Sequence, residues 1–476
     1  VSAAFSRRLL SMLRISTWVI GIAVVMPAGP ACLRAQEGGP IAALAEGSVR
    51  GAALQGGGAV FRGIPYAAPP VGALRWREPM PVTHWAGVRD AMRSGPPAAQ
   101  ADFGWNHDAA AASREDCLYL DVWTPRFSGA ARLPVMVWLH GGANAAGSGG
   151  FDPLYDGRAL IRHGVILVVV EYRLGIFGFF AHPELTRESP HHASGNYGLQ
   201  DQLAALRWVR ANIAAFGGDP GRVTLFGQSA GGIDTAALMT SPLARGLFER
   251  AIDESGPPAR AADTPSRAEM ERGGAAVAAE LGAPATGTLD YLRALPTGRL
   301  LAARTGPVVL GADGWVLRLP PVEVFARHEE APVPLILGWM AVEEEAWWRT
   351  QLERVARDHA AGGHRTWVYE FDRAIPGQAR AHHSGDLPYV FGNYPATGNL
   401  KGNYGPVDRA LSEVVQRYWT AFARSGRAQV DELPEWPRYR PATLRDLVFT
   451  AAGRVTQDSL SPYGATATDA QDNLSP

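Results

Sequence analysis

A serine stands between two glycines in the segment GQSAG, which runs from Gly227 to Gly231. The apolar run that precedes it predicts a strand, and the small residues that follow Ser229 can open a helix. A sharp turn from strand to helix has no space for side chains beside the serine, so glycine is needed on both sides. Such a turn would present the Ser229 hydroxyl as a nucleophile, whereas the alternative is an ordinary glycine-serine turn without chemistry.

A serine hydroxyl is a poor nucleophile at neutral pH and needs a base, which in sites of this kind is a histidine further along the chain. The histidines that follow Ser229 are His328, His359, His364, His382 and His383. His359 and His364 lie near the end of an expected helix, where we expect them to face solvent. His382 and His383 begin a loop that contains glycine, and loops of this kind often carry catalytic side chains.

An acid that orients the histidine is expected between the serine and the histidine. Three consecutive glutamates, Glu343, Glu344 and Glu345, follow an apolar segment at 333–338 that predicts a strand. A carboxylate at the end of a strand can fix the tautomer of the histidine and stabilise its charged form. The other interpretation of such a run is a solvated helix start, where glutamate suits the helix dipole.

A pair of glycines ends another apolar run, in the segment LHGGAN from Leu139 to Asn144. The backbone N–H groups of Gly141, Gly142 and Ala230 would give three donors for the oxyanion of a tetrahedral intermediate. Loss of one such donor typically lowers the rate by about 10²–10³-fold. A flexible glycine loop is the alternative, and it is harder to sustain beside a matching nucleophile.

Alternating strands and helices are expected to position these groups. Apolar runs at 118–123, 133–142 and 165–173 predict strands, and the last is apolar on both faces, as in a buried parallel sheet. Apolar residues recur every three or four positions at 199–216, which predicts a helix with Asn196 as its N-cap. Short antiparallel strands are expected at 57–82. The pattern indicates an α/β fold, with a mostly parallel central sheet, helices on both faces and a small N-terminal antiparallel part.

Composition and charge limit the classes of function. The chain has 476 residues, of which 46% are hydrophobic, enough apolar material for a large core. The formal net charge of −1 gives no electrostatic footprint for nucleic acid or for an anionic membrane. We therefore expect neither as a partner.

Residues 1–35 are expected to be a signal peptide. Arg7, Arg8 and Arg14 precede a short apolar run from Ile15 to Met26, and small residues follow it. The run is shorter than the roughly 20 residues of a membrane-spanning helix, so the prediction is a secreted or periplasmic protein, with an uncleaved anchor as the alternative. The adjacent arginines weakly resemble a twin-arginine export signal. A single domain at 36–458 is expected to follow, and the small polar residues 459–476 predict a flexible tail.

The chain resembles the type B carboxylesterase family of α/β-hydrolases, and most of all its bacterial members of the para-nitrobenzyl esterase kind. The resemblance covers Gly47 to Thr450. It rests on segments that occur in the family's order: FRGIPYAAPPVGALRWREPMPV, EDCLYLDVW, HGGANAAGSGG, EYRLGIFGFF, GNYGLQDQLAALRWVRANIAAFGGDPGRVTLFGQSAGG and HHSGDLPYVFG. It implies an α/β-hydrolase fold and a serine esterase.

The resemblance also implies roles for single residues. Ser229 corresponds to the nucleophile, and His383, rather than His382, to the base. Glu343 corresponds to the acid, because it lies five positions after the glycine that ends its strand. The donors of the oxyanion hole correspond to Gly141, Gly142 and Ala230. Family members work without a metal ion or a cofactor, and the partner implied is a small-molecule ester.

Two departures from the family concern loops near the site. Ala98 stands where the family often has the cysteine that pairs with the equivalent of Cys117. The other cysteine, Cys32, lies in the leader, so we expect Cys117 to be a buried free thiol. Asn144 replaces an aromatic residue that is usual in variant oxyanion loops of the family.

The largest departure is a shortened segment. Glu343 and His383 are only 40 positions apart, where family members usually insert more, so a shortened helical cap is expected near 345–365. One hypothesis is a working esterase with a more open site. The other is a broken triad, which a separation of more than about 4 Å between Glu343 and His383 would indicate.

The function expected is hydrolysis of carboxylic esters through an acyl-enzyme intermediate. One alternative is a non-catalytic binding protein on the same fold, although such relatives generally lose the serine. Another is an amidase or a carbamate hydrolase with the same triad. Trp339, Trp347 and Trp348 can line an acyl pocket, or they can belong to the core or to a covering helix.

Overall fold

The structure is a computed structural model, and it describes residues 38–343, 346–395, 398–443 and 445–459. The expected signal peptide at 1–35 lies outside these ranges, as does the expected tail at 459–476 except for its first residue, Ser459, which ends a strand. Glu344 and Glu345, the alternatives to Glu343 as the acid, also lie outside them. These three expectations therefore stay predictions.

Two sheets contain the strands of the described residues. The strands are β1 (Ile41–Ala43), β2 (Ser48–Arg50), β3 (Ala52–Ala53), β4 (Ala59–Pro65), β5 (Val88–Asp90), β6 (Tyr119–Thr124), β7 (Leu133–Leu139), β8 (Ile166–Val170), β9 (Gly218–Gln228), β10 (Arg250–Glu254), β11 (Leu335–Met340), β12 (Thr366–Phe371), β13 (Arg445–Phe449) and β14 (Val455–Ser459). A small sheet has the order β1-β2-β5. The large sheet has the order β14-β13-β12-β11-β10-β9-β7-β8-β6-β4-β3.

The centre of the large sheet is parallel from β8 through β7 and β9 to β13. Antiparallel pairs close it at both ends, β8-β6-β4-β3 on one side and β13-β14 on the other. All five residues of β8 are buried, as expected for a parallel strand with both faces covered. This arrangement confirms the predicted α/β fold with a mostly parallel sheet and an N-terminal antiparallel part.

Helices connect the strands and cover the sheet. They are α1 (His107–Ala112), α2 (Arg158–Ile161), α3 (Gly175–Phe179), α4 (Pro183–Glu188), α5 (Tyr197–Asn212), α6 (Ala230–Thr240), α7 (Arg267–Glu280), α8 (Thr288–Ala294), α9 (Thr297–Leu301), α10 (Pro321–Ala326), α11 (Ala346–Ala361), α12 (Leu387–Phe391) and α13 (Pro406–Ser425). Within the described residues, none of these helices is long and apolar enough to cross a membrane.

The two faces of the sheet have separate cores. Along β7, Val135 and Val137 belong to one core and Met136 and Trp138 to the other, because successive side chains of a strand point to opposite faces. The apolar stripe of α5 fills the first core, and that of α13 fills the second. The sheet is therefore held rigidly from both sides.

The helix predicted after Asn196 is α5, and it begins at the predicted position. Asn196 occupies the N-cap position without a capping hydrogen bond from its side chain. Its amide instead donates to Gly311 O at 2.9 Å and to Asp313 Oδ2 at 3.0 Å. The predicted N-cap position is therefore confirmed, but the side chain bonds to partners more than 100 positions away instead of capping the helix. Gly217, with φ of 87°, ends the helical segment in a left-handed conformation.

The loop around Ala98 is held without a disulfide. The Gln100 side-chain amide donates to Ala98 O at 2.9 Å and to Gly147 O at 2.7 Å, which ties this loop to the one that follows β7. Cys117 is a buried free cysteine, as expected, and burial raises the pKa of its thiol. Hydrogen bonds thus hold the loop where relatives often have a disulfide.

The shortened segment forms a plain strand-helix-strand crossover. β11 ends at Met340, α11 follows, and β12 pairs in parallel with β11. Trp339 lies in β11 and is fully buried, so it belongs to the core rather than to a pocket. The segment between β11 and β12 is therefore long enough to complete the sheet.

Candidate active site

Ser229 lies at the tip of the turn between β9 and α6. Its backbone dihedral angles, φ of 56° and ψ of −123°, are values that residues other than glycine rarely adopt. Two backbone hydrogen bonds hold it there, from Ser229 N to Glu254 O at 2.8 Å and from Ile233 N to Ser229 O at 2.9 Å. The structure thus has the strained strand-to-helix turn that the sequence pattern predicts.

The glycines on both sides of Ser229 are required by close backbone contacts. A Cβ atom on Gly231 would lie 2.0 Å from Leu139 O, and one on Gly227 would lie 2.4 Å from the carbonyl carbon of Gly231. Heavy atoms cannot approach so closely, so any side chain would push β7, β9 and α6 apart. The glycines therefore serve packing as well as conformation.

Glu343 and His383 are brought into direct contact. Glu343 follows β11, is buried, and accepts a hydrogen bond from Met340 N at 2.9 Å through its Oε2 atom. Its Oε1 atom contacts Nδ1 of His383, which lies in the loop before α12. The shortened segment therefore does not separate the two residues, and the criterion for a broken triad is not met.

The other ring nitrogen of His383 faces the strand that carries the serine. Its Nε2 atom lies 3.2 Å from Nε2 of the Gln228 amide. Within the described residues, no hydrogen bond joins the Ser229 hydroxyl to His383. Catalytic hydrogen bonds are often long in free enzymes and tighten when substrate binds. The sequence did not lead us to predict a role for Gln228. Its place at the end of an apolar strand, directly before the serine, could have indicated a polar contact within the site.

Trp348, on α11, contacts the candidate base. Its ring packs edge-on against His383, with ring centroids 5.2 Å apart and an interplanar angle of 77°. Trp347 is partly exposed and packs on Trp348. From the sequence, these tryptophans could line an acyl pocket, belong to the core or lie on a covering helix. In the structure, Trp348 is the one that contacts His383.

The glycine pair after β7 lies against the serine. A Cβ atom on Gly141 would be 3.1 Å from Ser229 Cβ, and Gly142 has a φ of 118°. Ala230 is the first residue of α6, so its N–H points out of the helix end. In the described part of the chain, the N–H groups of Gly141, Gly142 and Ala230 donate to no other residue. All three are free to bind an oxyanion.

Asn144 holds this glycine loop to α6. It is buried, with φ of 53°, and its amide donates to Asp234 Oδ1 at 2.8 Å. The Gln202 amide donates to the other oxygen of Asp234 at 2.5 Å. Burial raises the pKa of Asp234 to about 7. Asn144 therefore serves as an anchor for the loop, a role that its position in the sequence did not reveal.

His140, which precedes the glycine pair, also supports the loop. It is fully buried, which lowers its pKa to about 4, so the ring is neutral. Its Nδ1 atom lies 2.8 Å from Gly141 O, and the Tyr172 hydroxyl donates to His140 O at 2.7 Å. A neutral buried ring of this kind positions the backbone and has no exposed proton to transfer.

Three buried carboxyl groups lie behind the Glu343–His383 pair. Burial raises the pKa of Asp253 and of Glu254 well above the usual range, and raises that of Asp386 to about 6. Glu254 accepts a hydrogen bond from Trp419 at 2.6 Å, and Asp386 accepts one from Tyr369 at 3.1 Å. Burial thus disfavours the charged forms of Asp253 and Glu254 behind the pair.

One group of side chains with metal-ligand chemistry lies elsewhere among the described residues. Glu330, His359 and His364 lie near the amino ends of β11 and β12, whereas Glu343 and His383 follow the carboxyl ends. His359 is fully buried and His364 has a side chain 18% exposed, so the expectation that His359 faces solvent was wrong. Leu352, Val355 and Ala356 on α11 share its buried face.

Comparisons with known proteins agree with this geometry. The sequence profile of the "Carboxylesterase family" matches residues 38–355 and 341–460. The fumonisin B1 esterase of Sphingopyxis macrogoltabida is 36% identical over 455 residues, which cover 83% of this chain and 83% of that protein. The para-nitrobenzyl esterase of Bacillus subtilis strain 168 is 33% identical over 466 residues, covering 84% of this chain and 92% of that protein. The solved structure of a thermophilic PNB esterase superposes with a TM-score of 0.80 at 31% identity, covering 88% of this chain and 97% of that one.

Gly231→Ala should both destabilise the protein and abolish ester hydrolysis. The new Cβ would meet Leu139 O at 2.0 Å, which forces β7 and its glycine loop away from α6. We expect a loss of about 3 kcal/mol in the free energy of unfolding, measured by urea denaturation. The control is Gly273→Ala on α7, where a Cβ meets nothing within 4 Å, and which should stabilise by about 0.5–1 kcal/mol. A Gly231→Ala protein as stable and active as wild type would contradict this packing.

Asp234→Asn should change how stability depends on pH. Between about pH 4 and pH 7 the folded protein keeps the proton on Asp234 while the unfolded chain has lost it. The stability due to this group is therefore complete below pH 4 and is lost as pH rises through 7, by about 1.4 kcal/mol per pH unit. The asparagine does not titrate, so the advantage of wild type over the variant should shrink at that rate in urea unfolding at pH 5, 6 and 7. A difference that stays constant over this range would contradict the raised pKa.

Proposed function

The chain belongs to the carboxylesterase family and is a carboxylic ester hydrolase, and we propose that it works as a serine esterase with the triad Ser229, His383 and Glu343. The observation that carries this proposal is the contact of Glu343 with His383 beside the strained turn of Ser229. Nucleophilic catalysis needs a serine, a histidine as its base and an acid that orients the histidine. Here the acid is buried, the histidine is half-buried, and the serine is partly accessible at the same edge of the sheet.

The geometry supports a two-step reaction. The Ser229 oxygen attacks the carbonyl carbon of the ester while its proton passes to Nε2 of His383. The negative charge that develops on the carbonyl oxygen is stabilised by the N–H groups of Gly141, Gly142 and Ala230. The C–O bond to the alcohol then breaks, and the alcohol leaves with the proton from His383. The product of this step is an acyl-Ser229 enzyme.

Water completes the cycle. His383 removes a proton from a water molecule, which attacks the acyl carbon through a second oxyanion at the same three N–H groups. The acid product leaves, and Ser229 recovers its proton from His383. Throughout, Glu343 accepts a hydrogen bond from the Nδ1–H group of His383, which fixes the tautomer and stabilises the imidazolium. No metal ion or cofactor is needed for these steps.

Gln228 sets a condition on the first step. In neutral His383 with a proton on Nδ1, the Nε2 atom has one lone pair, and the Gln228 amide lies 3.2 Å from it. The serine hydroxyl must replace this amide as the donor to Nε2 before it can lose its proton. A small rotation of the Gln228 side chain on substrate binding meets that condition.

Point variants of the proposed triad test the mechanism on p-nitrophenyl acetate and butyrate. Ser229→Ala should lower kcat by at least about 10⁴-fold, and Glu343→Gln by about 10³–10⁴-fold, because the histidine loses the partner that fixes its tautomer. The matched control is His382→Gln, next to the proposed base, which should lose less than about 10-fold.

Each outcome assigns the residues differently. Full activity in Ser229→Ala would rule out the serine mechanism. If Glu343→Gln stays active, the triad acid is another residue, and Asp386, three positions after the histidine, is the next to replace. Hydrolysis of matched anilides as fast as of esters would assign the site to an amidase, and folded wild-type protein without turnover would favour the binding-protein alternative.

A further inference from the structure

A buried cluster at the end of the sheet opposite Ser229 contains two histidines and a glutamate. Glu330 lies before β11, His359 on the last turn of α11, and His364 in the loop into β12. One ligand atom from each lies within 4.8 Å of the others. The side chains of Glu330 and His359 are completely buried, and His364 is 18% exposed. None of the steps of ester hydrolysis uses them.

The short contact between His359 and Glu330 is not explained by hydrogen bonds of a neutral histidine. The Nε2 atom of His359 lies 2.9 Å from Val333 O, and a carbonyl oxygen only accepts, so Nε2 carries a proton. In a neutral ring Nδ1 then has a lone pair, yet it lies 2.7 Å from Oε1 of Glu330. Two acceptors at this distance repel each other unless a cation, either a proton or a metal ion, lies between them.

Two further atoms of the cluster favour a metal ion over a proton. The Oε2 atom of Glu330 is buried and has no hydrogen-bond partner among the described residues. The Nε2 atom of His364 lies 3.8 Å from Oε1 of Glu330, and the rings of His359 and His364 are 4.8 Å apart. A proton between His359 and Glu330 would leave both of these atoms unused. A metal ion can bind the carboxylate and both histidines at once.

The chemistry of the ligands fits Zn²⁺. Zinc binds imidazole nitrogens and carboxylate oxygens at about 2.0–2.2 Å, so tetrahedral ligands are about 3.4 Å apart. The 3.8 Å separation of His364 Nε2 from Glu330 Oε1 is close to this value, whereas the 2.7 Å separation of His359 Nδ1 from Glu330 Oε1 must widen when the ion binds. The bond from His359 Nε2 to Val333 O is of the kind that orients histidine ligands in metal sites.

We propose that Glu330, His359 and His364 form a structural site for one Zn²⁺ ion, with water as the fourth ligand on the side where His364 reaches solvent. The ion would join three segments: the loop before β11, the end of α11 and the loop into β12. The other end of α11 carries Trp348, which packs on His383. The site would therefore anchor the helix of the shortened segment, far from the reacting atoms.

Zinc binding to purified protein tests the proposal. The protein is treated with EDTA, freed of chelator, and titrated with ZnCl₂ at pH 7.5 by isothermal titration calorimetry. All titrations use a His383→Gln background, so that the triad histidine contributes no binding. We expect one Zn²⁺ per chain and a higher midpoint of thermal unfolding when zinc is present. Co²⁺ in place of Zn²⁺ should give the visible absorption bands of a four-coordinate site.

Variants locate the ion. His364→Gln changes a partly exposed residue and should fold, but should bind zinc at least about 10-fold more weakly and lose the thermal shift. Glu330→Gln should do the same. The matched control is His84→Gln, an exposed histidine outside the cluster, which should keep both properties.

Two results would overturn the proposal. Zinc affinity that is unchanged in His364→Gln would place the ion elsewhere. Absence of zinc binding by folded protein would mean that the three side chains hold together without a metal ion. Neither result would bear on the ester hydrolysis, since the cluster lies at the opposite end of the sheet from Ser229.

Discussion

The contact of the Leu139 carbonyl oxygen with the backbone of Gly231 is the constraint on which the active site depends. It brings the end of β7 against the first turn of α6, at a distance that tolerates no Cβ atom. The same approach places Gly141 beside Ser229. The serine and the N–H groups of the glycine loop are therefore positioned by one close backbone contact, rather than by separate side-chain interactions. Rigid support is what electrostatic stabilisation of an oxyanion requires, because the donors must be in place before the charge develops.

Buried polar groups secure this arrangement from behind. Asn144 links the glycine loop to Asp234 on α6, and Ser229 N is bonded to Glu254 O at the end of β10. Burying carboxyl groups is costly in the charged form, and the protein meets this by raising the pKa of Asp234, Asp253 and Glu254. Asp234 and Glu254 also accept side-chain hydrogen bonds, from Asn144 and Trp419 respectively. Glu343 is the direct partner of His383, and Asp386 interacts electrostatically with both members of the pair.

The parts of the site that sequence reasoning could predict are those that depend on strand ends. Ser229 and Glu343 follow β9 and β11, and the carboxyl ends of parallel strands meet at one edge of a sheet, so their proximity can be predicted from buried strand patterns. Contacts between distant segments could not be predicted in this way. The Asn144–Asp234 bond joins residues 90 positions apart, and the Gln228–His383 contact joins residues 155 apart. Both depend on how α6 and the loop before α12 pack, which no local pattern encodes.

The burial of His359 could have been predicted from the helical period, but the neighbouring glycines pointed to a solvent-exposed helix end. His359 follows Leu352, Val355 and Ala356 at spacings of three and four, so the helical period places it on the buried face of α11. The glycines just after it suggested a solvated helix end instead. In the structure the helix remains packed to its last turn, because β11 and β12 are adjacent and α11 must cross directly between them.

The position of Glu343 explains why a short crossover suffices. Met340 N donates to its Oε2 atom, and its own backbone N donates to Met340 O, so the acid is held by the end of β11 itself. His383 is likewise held in the loop that leads into α12, whose residues are all buried. The residues between β11 and β12 need only return the chain to the sheet. Extra length in this segment would change what covers the site, without being needed to bring the acid to the histidine.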